Sequence, residues 1–411
     1  MAYDNFGRYL VFSGLSFSST LLIQITLPYL IVSSIGAEGY AEWIFYFSYL
    51  TLLNLVDFGV LNNAQLNLLK LYKSSDSEFM LFLDKCRNFL FSSCLIFSLI
   101  SVTIFLLTHN ITILIISIAI LINNFVRFNI IVLRSIEKVE YYFLYSILLN
   151  ILIIILVMFS STIDASLVII SFAFLTGQVI IMLASQSHYS NAINSHMPKE
   201  SRMILNLKIC FSAPKDSLKF WKLTALQTIN QNLVILLLGG ITSALQLAAI
   251  GVMRTIANVG VSITSIISAA LTPRVTFLDK GSDENKKIYF KYIFFISLLG
   301  IPLAYIILIS VFGERILQLW MGDLVEFNDE LMFLLLLRMF FIVTGYSIQN
   351  YETAKGTPTK ALTMELFIVI FSLSGFLISY FIGADVYDVF MISFLIPYGI
   401  YFIYILTRKM I

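Results

Sequence analysis

The sequence predicts an all-α polytopic membrane protein: twelve transmembrane helices in two six-helix lobes around a central cleft, both termini cytoplasmic. Three observations predict it. The chain is 59% hydrophobic and only 12% charged, with mean hydropathy +0.91, where soluble domains run about 25% charged. Apolar stretches long enough for a bilayer core, which needs about 20 residues each, recur along its length. The basic residues fall almost wholly on one side of the membrane that these stretches define.

On the length ruler the spans fall at roughly 9–34, 41–69, 80–107, 111–133, 141–159, 164–185, 218–239, 244–273, 288–312, 329–351, 360–382 and 386–407. The first run is too long for a signal-peptide core and lacks a small-residue cleavage site, so it reads as a retained helix. Helices 1 and 2 are joined by the short acidic turn around Ile35-Gly36-Ala37-Glu38. Helices 3 and 4 form one apolar run that must turn at Thr108-His109-Asn110. The turn 313–329 is the longest on the outer side and acidic, with room for one helical turn.

With the amino terminus inside, 22 of the 26 Lys and Arg lie on the cytoplasmic side, and only Arg315 lies outside. The net charge of +2 is thus a matter of topology and gives no footprint for nucleic acid. The longest inner segment divides the chain into an N-terminal lobe (1–185), a cytoplasmic linker (186–217) and a C-terminal lobe (218–411). The middle of that linker, KESRMILNLKICF, is basic and apolar and suits either the membrane interface or a solvated tether. Six helices per half orient the lobes alike, with helix-closing stretches LRSIEK and YETAKG in matching places.

Four ionisable residues lie deep in helices: Asp57, Arg127, Arg254 and Arg338; Glu365 sits about 8 Å from the inner end of helix 11, near enough to the interface for a carboxylate to stay hydrated. Each deep charge costs roughly 2.5–3.5 kcal/mol on the insertion scale. Four facing lipid would cost about 10 kcal/mol, as much as the whole stability of many domains, so they face the interior, paired or wet. Helix 8 aligns Ala248, Gly251, Arg254, Asn258 and Ser262 on one small or polar face, with Arg254 near mid-depth. A guanidinium there can grip phosphate or carboxylate; an ion pair with Asp57 or carbonyl ligation is the structural alternative. Arg338 and Gly345 share a stripe of helix 10, and Arg127 follows Asn123 and Asn124 in helix 4. Helix 7 carries Gln227, Asn230, Gln231 and Asn232 in its inner half, suited to sugar hydroxyls or to interhelix hydrogen bonds. Tyr40, Trp43, Trp221 and Trp320, near helix ends, read as interfacial belts.

The three cysteines and three histidines form no metal or disulfide pattern. With no phosphate-binding glycine loop or extramembrane catalytic domain in the sequence, no cofactor is expected; a proton or sodium gradient is the candidate energy source.

The stretch PYLIVSSIGAEGYAEW followed by LVDFGVLNNAQ resembles the first two helices of the O-antigen flippases, the Wzx-type branch of the multidrug/oligosaccharidyl-lipid/polysaccharide exporter superfamily. The residues that carry the likeness are Pro28-Tyr29-Leu30, Ile35-Gly36, Glu38 and Asp57-Phe58-Gly59. AALTPR closing helix 8 and AKGTPTK closing helix 10 are similar to the same family. Asn232 departs from it, standing where many relatives carry an acidic residue.

The resemblance implies a flippase of the bacterial inner membrane. Its substrate would be an undecaprenyl-pyrophosphate-linked oligosaccharide, and its partners the bilayer and the polymerase and chain-length proteins of the same pathway. Helices 1, 2, 7 and 8 would line the cleft. Arg254, Arg338 and Arg127 would attract the pyrophosphate or acidic sugars, and Gln24, Gln227 and Asn258 would touch the glycan. Asp57 would be a further cleft residue, and Asp57 and Glu365 the ion-coupling candidates. The rivals are a multidrug exporter of the same superfamily and, against the short outer turns, a membrane polysaccharide polymerase.

Overall fold

The computed structural model describes residues 6–74, 76–136, 139–163, 166–196, 217–279, 284–354 and 358–407. Among these the elements are helical throughout, and nine helices are long and apolar enough to cross a membrane. Side chains as exposed as Leu319 (90%) and Phe381 (82%) ring them, tolerable in lipid and costly in water.

In chain order the helices are α1 Phe6–Leu50, α2 Val60–Ser74, α3 Asp76–Thr108, α4 Ile111–Ser135, α5 Val139–Ile163, α6 Leu167–His196, α7 Ser217–Leu238, α8 Ala244–Asp279, α9 Glu284–Met321, α10 Asp329–Ala354, α11 Pro358–Phe381, α12 Val386–Phe390 and α13 Ile396–Thr407. The expected turn at His109 is present: His109 has φ 54, and the Asn110 side chain caps α4 by accepting from the Thr112 and Ile113 N–H groups at 3.0 and 3.3 Å.

Several boundaries depart from the sequence reading. The first two predicted spans meet without a loop: α1 runs on to Leu50, and helical geometry is lost only at Gly36 (φ 77, ψ 173). The second span is not continuous. It changes to a 3₁₀ segment, Thr51–Asp57, then to left-handed Phe58 (φ 46) and Gly59 (φ 75), before α2 begins. Helix 6 continues to His196, and helix 9 to Met321 with a 3₁₀ turn Gly322–Leu324. A π-helical turn, Met391–Leu395, interrupts the last span. The basic linker stretch 199–211 lies outside the described residues.

The chain divides into two compact units: Met1–Ile35 with Tyr46–Ala225, and Gly36–Phe45 with Leu226–Ile411. Unit 1 is built around α4, which packs on α3 and α6. Its core joins Leu61, Leu68, Phe79, Leu90, Phe128 and Leu133 with many smaller apolar groups. Polar bridges tie its helices, as from Asn129 Nδ2 to Ser185 Oγ at 3.1 Å and Asn150 Nδ2 to Ser19 Oγ at 3.1 Å. In unit 2, α8 packs on α9 and α10. Gly260 leaves room for the Tyr305 ring, whose hydroxyl donates to the Ile256 carbonyl at 2.7 Å.

The segment Gly36–Phe45 explains why Tyr40 and Trp43 are no interfacial belt. Both are 3% exposed. A Cβ on Gly251 would lie 2.4 Å from Ile44 and 3.2 Å from the Tyr40 ring, and one on Gly239 would lie 2.7 Å from Phe45. Glycines of unit 2 thus receive the aromatic segment. Trp221, half-buried, stacks on Phe58 with ring centroids 5.5 Å apart, and its Nε1 donates to the Leu55 carbonyl at 2.8 Å.

Candidate functional site

The interior charges settle differently in the two units. In unit 1, Asp57 ends the 3₁₀ segment and is 5% exposed. Its carboxylate accepts from the N–H groups of Gly59 (3.1 Å) and Leu61 (3.3 Å), so it caps α2 with its own chain. Arg127 is exposed on α4. Asn124, one turn before it, is fully buried with neither amide atom hydrogen-bonded.

In unit 2 the polar centre is α7. The Arg254 guanidinium, reaching from α8, donates to the Gln231 carbonyl at 2.6 Å. Arg338, on α10 and 4% exposed, donates to the neighbouring Asn230 carbonyl at 3.0 Å. The Asn230 side chain donates in turn to Glu365 Oε2 at 3.0 Å. Arg338 also lies over the rings of Phe394 (5.9 Å) and Tyr398 (5.8 Å), across the π-helical turn and its sequel. Both guanidiniums are thus hydrogen-bonded to neutral carbonyls, which for Arg254 is the carbonyl ligation named above as the structural alternative, and among the described residues each keeps an Nε without a partner.

Of the residues singled out in the sequence, unit 2 brings together Arg254, Arg338 and Glu365 around Asn230 and Gln231. Glu365 is 0% exposed, where a hydrated position near the interface was expected. Gln227 and Asn258 are half-buried on α7 and α8 of unit 2; Gln24 is half-buried on α1 of unit 1. Asp57 and Arg127 belong to unit 1. Sequence reasoning missed Phe394 and Tyr398 as partners of Arg338. The spacing Phe390, Phe394, Tyr398 was a signal, since steps of four share a helix face.

A cavity of about 600 Å³ opens in unit 2 where α8, α10 and α12 begin. Its wall is apolar (Ile250, Met253, Leu331) and its rim carries Asp323, Glu326 and Asp385. Asn328 Nδ2 donates to the Tyr387 hydroxyl there at 2.6 Å.

No protein-family model matches the chain, and the curated proteins offer no match either. Solved structures do. The MATE multidrug transporter DinF-BH aligns over 100% of this chain and 97% of its own with TM-score 0.72 and 16% identity. An inward-facing multidrug resistance MATE family transporter of the MOP superfamily aligns over 94% of each chain with TM-score 0.68 and 16% identity. The lipid II flippase MurJ, in an inward closed conformation, aligns over 98% of this chain and 87% of its own with TM-score 0.67 and 13% identity. The chain therefore has the helical membrane fold shared by these proteins, which are transporters and a flippase, not enzymes.

Proposed function

We propose that the chain is a flippase that moves an undecaprenyl-pyrophosphate-linked oligosaccharide from the cytoplasmic to the periplasmic leaflet of a bacterial inner membrane. The observation that carries this reading is the cationic pair in unit 2: among the described residues, Arg254 and Arg338 each donate to a backbone carbonyl, a weaker acceptor than an oxyanion. A site built this way keeps its positive charge for a ligand. Pyrophosphate oxygens make charge-assisted, bidentate hydrogen bonds with guanidinium, about twice as strong as neutral ones. Arg254, the more accessible, meets the anion first; Arg338 supplies potential from behind, and Arg127 adds to the positive field. Gln24, Gln227 and Asn258 offer hydrogen bonds to glycan hydroxyls. The lipid tail stays in the bilayer, the lobes alternate access to the two leaflets, and Glu365, not the backbone-bound Asp57, is the carboxylate on which a proton or sodium gradient acts.

The fold supports the reading, since a flippase of a lipid-linked substrate shares it. A strain lacking the protein tests it. Lipid-linked oligosaccharide accumulating on the cytoplasmic face, with surface polysaccharide lost and restored by complementation, is the expected result. Normal surface polysaccharide would refute it.

A second reading, a multidrug exporter, draws on the acid-rimmed cavity of unit 2. Apolar walls beneath Asp323, Glu326 and Asp385 suit a cationic amphiphile. New sensitivity to such compounds in the same strain, with its polysaccharide intact, is the outcome that favours this second reading.

A further inference from the structure

Within unit 2, α11 meets the irregular turn of the last span along one face. Glu365, Ile368, Ser372, Gly375 and Ser379 follow steps of three and four, so they share a stripe of that helix. A Cβ on Gly375 would lie 3.0 Å from the Ile392 carbonyl oxygen and 3.1 Å from Ser393 Cα. The stripe therefore lies directly against the π-helical turn Met391–Leu395.

This contact holds three unused hydroxyls. Ser372 and Ser379 on the stripe and Ser393 in the turn are 0% exposed, and among the described residues the Oγ of each makes no hydrogen bond. Other buried serines and threonines, such as Ser92, Ser117, Ser160 and Thr344, donate to a carbonyl three or four residues earlier. A buried hydroxyl left dry costs more than the hydrogen bond it forgoes. Water is the partner such groups ordinarily take, and a hydroxyl both donates to it and accepts from it.

The hydroxyls are spaced as a line that ends at the buried carboxylate. At about 1.5 Å per residue, Ser379 stands roughly 6 Å to one side of the Gly375–Ser393 contact. On the other side stand Ser372 at roughly 5 Å, Tyr398 at roughly 7 Å and Glu365 at roughly 15 Å. Steps of up to about 8 Å are within reach of one or two bridging waters. Around Glu365 are Asn230 from α7, Arg338 from α10, which donates to Asn230, and Tyr398 and Tyr401 from α13. At the far end, the Ser379 carbonyl accepts from the Ala384 N–H at 3.0 Å, one residue before Asp385 of the acidic cavity rim. Carboxylates there raise the local proton concentration.

We propose that Ser379, Ser393 and Ser372 form a water-bridged proton path from the Asp385 end of α11 to Glu365. Each hydroxyl accepts a proton from the water on one side and gives its own to the water on the other, ending unchanged. The proton comes from the aqueous phase, one O–H bond forms on the Glu365 carboxylate, and nothing is oxidised. Hydroxyls spaced along a line relay protons; they do not close the oxygen shell that a hard metal cation needs. The inference rests on the reading of Glu365 above and names the proton as the ion that reaches it.

The test uses full-length protein in lipid nanodiscs and infrared difference spectroscopy after a light-triggered acid jump. A carboxylic-acid C=O band that appears in the wild-type protein and is missing in E365Q belongs to Glu365. Its rate of appearance should fall about ten-fold or more in S393A and in S372A, and stay near wild type in S393T, which keeps a hydroxyl. S379A takes the place of either alanine variant that is not monodisperse. A Glu365 band that forms equally fast in the alanine variants overturns the path and leaves Glu365 as the coupling carboxylate. An acid jump that raises no Glu365 band overturns that reading of Glu365, and the path with it.

Discussion

Units 1 and 2 each bury charge beside an irregular helix, and they resolve it in opposite ways. Asp57 in unit 1 commits both oxygens to backbone N–H groups of the turn that it caps. That turn is sealed by Trp221, beside a broad apolar core. Arg254 and Arg338 in unit 2 lean on carbonyls, keep an unpaired Nε each, and sit near a small aromatic cluster that includes Tyr398 and Tyr401. A charge satisfied by its own backbone is a structural part. A charge resting on a neutral group remains ready for a stronger partner. The contrast assigns stability to the first unit's charge and ligand binding to the second's.

The largest effect on function should come from Arg254→Ala. Losing a charge-assisted hydrogen bond costs about 1.5–3 kcal/mol, so pyrophosphate affinity should fall about 10–100-fold, and surface polysaccharide with it. A well-expressed R254A protein that fully complements the deletion strain would refute the assignment. Next is Gly59→Ala. Its backbone has φ +75 and no space for a Cβ, so about 3 kcal/mol or more is expected. Thermal unfolding should report it, beside a Gly36→Ala control with φ +77 and open space around it, which should lose about 1 kcal/mol from conformation alone.

Asp57→Ala sharpens the comparison from the other side. It leaves two buried N–H groups without an acceptor, at about 1–3 kcal/mol each. The melting temperature should drop while calorimetry finds pyrophosphate affinity unchanged; a loss of affinity at constant stability would reverse the roles of the two units. The smallest effect on polysaccharide is expected from Asp323→Asn with Glu326→Gln at the acidic cavity. Export of a cationic dye abolished by this pair would bring the second reading forward.

Much of this was legible in the sequence because membrane helices announce themselves by length and charge. The turn at His109 was visible as a polar interruption of an apolar run, and Arg254 and Arg338 as charges too costly to face lipid. The break at Thr51–Gly59 was not visible. TLLNLVDFG is as apolar as its flanks, and what stabilises the break is Trp221, 166 residues from Leu55. The burial of Tyr40 and Trp43 was hidden for the same reason: an aromatic at a helix end looks alike whether lipid headgroups or the glycines of a distant helix receive it. Glu365 was placed by depth along its helix, which says nothing of which neighbour closes over it. Periodicity finds helices; it does not find the partner that makes one of them irregular.

The short segment Gly36–Phe45 also constrains how the protein can be made. It leaves the ribosome early, yet the glycines that accommodate Ile44, Tyr40 and Phe45 are Gly251 and Gly239, synthesised roughly 200 residues later. Until then a newly inserted amino-terminal half carries an aromatic hook with nothing to catch on. Synthesis of the second unit thus supplies the packing partners of a segment in the first pair of helices.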